Sequence, residues 1–73
     1  MSAALLASPA AAYQCPADMA KIDAALAEAP QLSDEDMAKV KELRAEGEKL
    51  HDEGNHADSV KVLAEAMALL GIQ

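Results

Sequence analysis

Apolar residues recur every three or four positions in three separate segments of this chain, and proline or glycine stands between the segments. Such spacing places apolar side chains on one face of an α-helix, whereas a half-buried strand alternates at every second residue. No segment of the sequence alternates in that way. The three stripes are Met19, Ile22, Leu26 and Ala29; Met37, Val40, Leu43, Gly47 and Leu50; and Val60, Leu63, Ala64, Met67 and Leu70, with Val62, Ala66 and Leu69 on the flank of the third. The sequence therefore predicts an all-α fold.

Residues that favour helix ends mark the limits of the first two helices. Pro16 suits the first position of a helix, because its missing N–H would have no partner there. Pro30 cannot continue the ladder of helical hydrogen bonds, so it ends the first helix. Ser33 is a favourable N-cap for the second helix, and the three acids that follow it suit the positive end of the helix dipole.

The stretch HDEGNHADS, residues 51–59, separates the second helix from the third. Gly54 stands where the end of a helix favours a left-handed residue. Asn55 can cap the third helix, and Asp58 three positions later completes a capping box. Gly71 ends the third helix.

Short turns make consecutive helices antiparallel, so the sequence predicts a small three-helix up-down-up bundle. The third helix has the broadest apolar face and should be central. This topology brings Cys15 and Asp18, at the start of the first helix, to the same end as residues 51–58. The predicted limits are about 16–29, 34–53 and 56–70 for the helices, within one domain of residues 14–73.

The size and the net charge of the chain limit the kinds of partner that it could bind. The chain has 73 residues and a formal net charge of −7, which disfavours nucleic acid and anionic membranes and favours cations or a basic protein. The alternative is that an acidic surface only keeps a small protein soluble. One tyrosine and no phenylalanine or tryptophan leave a small aliphatic core, so we expect a marginal fold that a ligand, a partner or a weak homodimer would stabilise.

The first twelve residues, MSAALLASPAAA, are small, apolar and uncharged. They are typical of the end of a secretory signal peptide, with Ala10 to Ala12 as the cleavage site. The alternative is an alanine-rich leader without a function. We predict a disordered leader over residues 1–13, a mature chain that starts near Tyr13, and export to a bacterial periplasm. The apolar run is too short to span a bilayer.

An enzymatic role is not expected. No serine or cysteine nucleophile has a base at a defined spacing, and no glycine-rich loop could cradle a phosphate. The many carboxylates lack aromatic neighbours that would raise a pKa for acid catalysis.

Residues 51–58 offer several oxygen ligands in a short stretch. Hard cations such as Ca²⁺ or a lanthanide(III) ion are bound by carboxylate and amide oxygens. The sequence predicts a site built from Asp52, Glu53, Asn55 and Asp58, which Asp18 could join from the first helix. It is not an EF-hand, and the alternative is a polar turn between two helices.

The same end of the bundle carries softer ligands. His51 and His56 lie five residues apart, and with Cys15 they could bind zinc, copper or nickel. A complete zinc signature would need a second closely spaced pair, which the sequence lacks. The alternative is that one histidine caps a helix and the other packs against the first helix, so the histidines rank below the oxygen ligands.

A second candidate cluster comprises Asp34, Glu35 and Asp36. Adjacent helical side chains point about 100° apart, so the three carboxylates cannot all share one ion. The alternative, that they stabilise the start of the second helix, is the better explanation.

Residues 43–67 resemble one hairpin of the tetratricopeptide family. The resemblance implies an interaction module, which is the alternative function, although a single hairpin cannot form the groove of a repeat array. The first helix would replace the neighbouring repeat, and His56 stands where the family has an aromatic residue. The matching residues are Gly47, Leu50, Gly54-Asn55-His56, Ser59-Val60, Leu63 and Ala66-Met67.

The leader, the segment YQCPADMAKIDAAL and the alanine-rich acidic helices together resemble the landiscernin-like small periplasmic proteins of methylotrophic bacteria. The resemblance implies lanthanide(III) binding or delivery beside a lanmodulin-like protein, and it assigns no ligand residue. The sequence as a whole predicts an exported, non-catalytic metal-binding protein.

Overall fold

The computed structural model describes the backbone of residues 9–73 and the side chains from Tyr13 onward. Three α-helices follow one another: α1 (Pro9–Ala27), α2 (Asp34–Asp52) and α3 (His56–Leu70). No strand occurs within residues 9–73, so the predicted all-α, three-helix fold is confirmed. In this part of the chain, no helix is both long enough and apolar enough to cross a membrane.

α1 begins seven residues before its predicted start. It starts at Pro9 and takes in residues 9–13, which the sequence assigned to the leader, while residues 1–8 lie outside the described part of the chain. Pro16 consequently lies inside the helix, where it cannot donate the hydrogen bond that would reach the carbonyl of Ala12. The alanine run provides the reason for the extension, because alanine has the highest helix propensity.

The end of α1 and the start of α2 follow the predicted signals closely. α1 ends at Ala27, two residues before its predicted end, and Ala29, which was predicted to be part of the apolar stripe, is exposed and adopts a positive φ of 52° directly before Pro30. The Ser33 hydroxyl accepts a hydrogen bond of 3.0 Å from the backbone N–H of Asp36, so Ser33 caps α2 as predicted.

In the turn between α2 and α3, one predicted contact is absent. Gly54 has the expected left-handed conformation, with φ of 85°. Asn55 is the N-cap residue of α3, but its side chain makes no capping hydrogen bond, so the predicted box with Asp58 does not form. Its φ of −88° and ψ of 66° differ from the extended conformation in which a cap side chain reaches the first turn. The backbone carbonyl of Asn55 instead accepts from the N–H of Ser59.

α3 packs against both other helices, and α1 and α2 contact each other less. The central position of α3 is therefore confirmed. Its buried face is centred on Leu63, Ala66 and Met67, and Ala64, which the sequence placed in the stripe, is exposed. The buried apolar residues of the bundle are Cys15, Ile22, Val40, Leu43, Leu63, Ala66 and Met67.

One arginine joins α1 to α2. Nε and Nη2 of Arg44 donate hydrogen bonds of 2.9 Å to the two carboxylate oxygens of Asp23, and Nη1 donates to Glu48 at 2.8 Å. The hydrogen bonds from Arg44 lower the pKa of Asp23 and outweigh the effect of partial burial, while the same contacts raise the pKa of Arg44. This bidentate pair links α1 to α2 at the edge of their contact.

Candidate metal centre

The tight turn between α2 and α3 brings two histidines together. His51 lies in the last turn of α2, and His56 is the first residue of α3. The backbone N–H of Gly54 donates to the carbonyl of His51 at 3.0 Å, and that of Asn55 donates to Leu50 at 2.8 Å. Because these bonds close the end of α2 and reverse the chain direction, both imidazoles lie on the same side of the turn.

The Nδ1 atoms of His51 and His56 are 3.2 Å apart, and the ring centroids are separated by 5.0 Å. The two nitrogens can share one proton, with one ring as donor and the other as acceptor. Alternatively, both lone pairs can point at one cation. Two nitrogens that bind zinc at about 2.0–2.1 Å in tetrahedral geometry lie roughly 3.3 Å apart. The observed separation therefore fits two ligands of one ion as well as it fits a hydrogen bond between the rings.

Cys15 of α1 is the third member of the group. Its side chain is completely buried, and Sγ lies 3.6 Å from the backbone carbonyl oxygen of His56. Ligand atoms of Cys15, His51 and His56 all lie within 4.8 Å of one another. A thiolate and an imidazole on one tetrahedral zinc are about 3.5 Å apart, so movements of about one ångström would complete the geometry.

The predicted oxygen ligands do not join this group. Asp52, Glu53, Asn55 and Asp58 follow the histidines closely in sequence, and all four are exposed. Among the described side chains, the histidine, cysteine and acidic residues that converge in a group of three or more are Cys15, His51 and His56 alone. The oxygen site stays a prediction, because an incoming hard cation could still draw these exposed side chains together.

Asp18 lies one turn after Cys15 but is held by residues of its own helix. Its carboxylate is almost completely buried, accepts a hydrogen bond of 3.3 Å from Gln14 and lies 4.0 Å from the ammonium group of Lys21. This intrahelical hydrogen bond and this ion pair explain how the charged carboxylate can be buried. Asp18 was predicted to join the oxygen ligands, and that role also stays a prediction.

The second acidic cluster occupies the first turn of α2, at the opposite end of that helix from His51. Asp34, Glu35 and Asp36 are all exposed. Their position at the positive end of the helix dipole agrees with the stabilising role that the sequence favoured.

Sequence reasoning considered Cys15 together with His51 and His56 for a softer ion, but it ranked this group below the oxygen ligands. The structure brings together the residues that were considered for a softer ion. The signal that points to Cys15 is topological: an up-down-up bundle places the start of α1 beside the turn between α2 and α3.

Comparison with known families gives one match. The family model described as the PA14_33160 family matches residues 13–73. The chain belongs to the PA14_33160 family. The matched segment contains all three residues of the Cys15–His51–His56 group, which we call the CHH centre. No curated protein and no solved structure matches the chain.

Proposed function

We propose that this protein binds one soft or borderline transition-metal ion at the CHH centre and carries it without catalysing a reaction. The observation that supports the proposal most strongly is the convergence of ligand atoms from all three helices within 4.8 Å. Cys15 is 36 residues from His51 in sequence, so local turn formation does not account for its arrival there.

The donor atoms select the class of ion. A thiolate and two imidazoles favour zinc, copper or nickel, whereas Ca²⁺ and lanthanide(III) ions need several oxygens. The lanthanide hypothesis depends instead on exposed carboxylates, Asp52, Glu53 and Asp58, whose arrangement around an ion would have to form on binding. It is a separate proposal, and the same titration tests it.

The charge of the protein supports cation binding. The formal net charge is −7, and three acids lie within two residues of the two histidines. A negative potential raises the local concentration of cations and speeds their capture. The same acids provide no reason for an anionic ligand to approach the centre.

Export to the periplasm is part of the proposal. The family match begins at Tyr13, which is the residue that follows the proposed cleavage site after Ala12. A carrier of metal ions in that compartment would retain the whole CHH centre after such a cleavage.

The alternative role, an interaction module that docks through the apolar face of α3, loses support from the packing. The residues that would form this surface, Leu63, Ala66 and Met67, are buried against the other two helices. A docking role would use the partly buried residues Val60, Val62, Leu69 and Leu70, or it would need α1 or α2 to leave α3.

Titration of the reduced, full-length protein with Zn²⁺, Cu⁺, Ni²⁺, La³⁺ and Ca²⁺, followed by NMR, tests the proposal. We expect saturation at one ion per chain for Zn²⁺ or Cu⁺, with the largest shifts at Cys15, His51 and His56. The variants Cys15→Ser, His51→Gln and His56→Gln should each lower the affinity by at least about tenfold.

Two matched triple replacements separate the effect of negative charge near the centre from the effect of the metal ligands themselves. Replacing Asp52, Glu53 and Asp58 together by Asn, Gln and Asn removes three negative charges beside the centre. Replacing Asp34, Glu35 and Asp36 in the same way removes three at the other end of α2. Zn²⁺ affinity that survives the loss of Cys15 and both histidines would overturn the proposal.

A further inference from the structure

We infer that an ion at the CHH centre keeps one coordination position open towards solvent, and that an imidazole or thiolate of an acceptor protein enters this position to take the ion. The inference rests on the proposed function, because it concerns how the same centre exchanges its ion.

The number of ligands is the first reason. Zinc in proteins has four ligands, and a site with three protein ligands keeps the fourth position for water or an exchangeable ligand. Among the described side chains, the ligand atoms that lie within 4.8 Å of one another are those of Cys15, His51 and His56, and no carboxylate belongs to this group. The fourth donor must therefore come from outside the group.

The direction of the open position follows from burial. Cys15 has no exposed surface, so the helices enclose the sulfur side of the centre. His51 and His56 are half-buried, and the turn residues between them, including Gly54 and Asn55, are exposed. Solvent and an incoming ligand reach the ion from the histidine side, beside the turn.

The chemistry of the entering group follows from the ion and from the surface. A metal that a thiolate and two imidazoles select also prefers nitrogen or sulfur as its next ligand. Asp52, Glu53 and Asp58 are exposed and lie within two residues of the histidines in the sequence, so their negative charge disfavours an entering carboxylate or phosphate. The acceptor is therefore a protein that offers a histidine or a cysteine next to basic residues.

The exchange needs no redox partner. The entering imidazole forms one metal–nitrogen bond with its lone pair, and one imidazole of the centre then leaves as a neutral ligand. A second and a third donor of the acceptor then replace the remaining imidazole and the Cys15 thiolate in the same way, and the released thiolate takes up a proton from solvent. Coordination never falls below three during the first exchange, which makes transfer faster than simple dissociation.

Cobalt(II) in place of zinc gives a direct test, because its visible spectrum reports the ligands. We expect the Co²⁺-loaded full chain to show a tetrahedral spectrum with a thiolate-to-metal band that imidazole shifts in a saturable, one-to-one manner. A tetrahedral spectrum that high imidazole leaves unchanged would overturn the inference and leave the proposed function intact. Failure of Co²⁺ and Zn²⁺ to bind at all would overturn the proposed function itself.

Zinc release to a pyridylazo chelator provides the kinetic test. If the open position is used, doubling the chelator concentration doubles the release rate. A rate that does not depend on the chelator would mean that the ion dissociates first, and would contradict the inference.

Two short peptides test the charge preference at the entry side. A Lys-His-Lys peptide should bind the Co²⁺-loaded protein more tightly than a Glu-His-Glu peptide. The triple replacement at Asp52, Glu53 and Asp58 should remove the difference, whereas the matched replacement at Asp34, Glu35 and Asp36 should keep it. Equal binding of the two peptides to the unmodified protein would contradict a basic acceptor.

Discussion

The hydroxyl of Ser59 on α3 donates a hydrogen bond of 2.7 Å to the backbone carbonyl oxygen of Gly47 on α2, and both residues are buried. The two helices approach closely at this point, because a Cβ atom on Gly47 would lie 2.6 Å from Cγ of Leu63. The small side chain of Ser59 and the lack of one at Gly47 permit this close approach. It fixes the hairpin whose turn carries His51 and His56.

Replacement of Gly47 by alanine should destabilise the fold. The new methyl group would overlap the side chain of Leu63, whose position in the core leaves little freedom to move. Overpacking costs about 1–3 kcal/mol, and the better helix propensity of alanine offsets up to about 1 kcal/mol of that. Urea unfolding measures the loss, with Glu46→Ala on the exposed side of α2 as the control. A Gly47→Ala variant that is more stable than the wild type would contradict this packing.

The ion pair between Asp23 and Arg44 should make a small, pH-dependent contribution to stability. Because the pair lowers the pKa of Asp23, its contribution is present above the ordinary value of 3.8 and is lost as the pH falls through the lowered pKa. The side chain of Asp23 is 54% exposed, so Asp23→Asn should cost only about 0.2–1 kcal/mol at neutral pH.

Thermal unfolding of wild type and Asp23→Asn across the acidic range checks this sign. The two melting temperatures should converge as the pH drops well below 3.8. In an Arg44→Gln background the substitution should have no such pH dependence. A difference that grows towards low pH would mean that the pair does not stabilise the ionised carboxylate.

Zinc should stabilise the folded chain through the CHH centre. An ion that binds only the folded state at a hundred times its dissociation constant adds about 2.7 kcal/mol to the free energy of unfolding. The gain should disappear in Cys15→Ser, His51→Gln and His56→Gln, each compared with and without zinc so that any effect on the metal-free fold cancels. An unchanged zinc-dependent shift in Cys15→Ser would show that α1 contributes no ligand.

The fold could be predicted from the sequence more fully than the candidate site could. Periodicity and helix-end residues are local signals, and they predicted α3 as observed and the start of α2 at Asp34. The start of α1 was not predicted, because Pro16 favours a first position without enforcing one. The missing side-chain cap at Asn55 depends on the backbone angles of that residue, which its identity does not determine.

The CHH centre depends on long-range packing. The sequence placed Cys15 at the correct end of the bundle, but the distance from its sulfur to the two histidines depends on the register of α1 against the hairpin. That register depends on how the buried residues of the three helices pack together, and contacts such as the Asp23–Arg44 pair add to it; no local pattern reveals either. The many carboxylate and amide side chains in residues 51–58 also favoured an oxygen site, and in the structure the predicted oxygen ligands are exposed.

Lanthanide binding, if it uses the predicted oxygens, should separate cleanly from the CHH centre. Replacing Asp52, Glu53 and Asp58 by Asn, Gln and Asn should abolish La³⁺ binding and keep the fold, because all three side chains are exposed. The matched replacement at Asp34, Glu35 and Asp36 and the variant Cys15→Ser should both retain it. La³⁺ affinity that survives the first triple change would assign the ion to another part of the surface.

Replacing Pro16 by alanine should have different effects in the full chain and in a chain that starts at Tyr13. In the full chain it lies inside α1 and lacks the hydrogen bond to the carbonyl of Ala12, so Pro16→Ala should extend regular bonding and stabilise α1 by about 1 kcal/mol or more. In the shorter chain it lies in the first turn, where its missing N–H has no partner to lose. There the same substitution should change stability by less than about 0.5 kcal/mol or lower it slightly, because proline also restricts the unfolded chain.

Circular dichroism and urea unfolding of the four proteins measure this difference. Equal effects in both chains would mean that residues 9–12 do not extend α1 in solution, and that the helix starts at Pro16 as its sequence alone indicates.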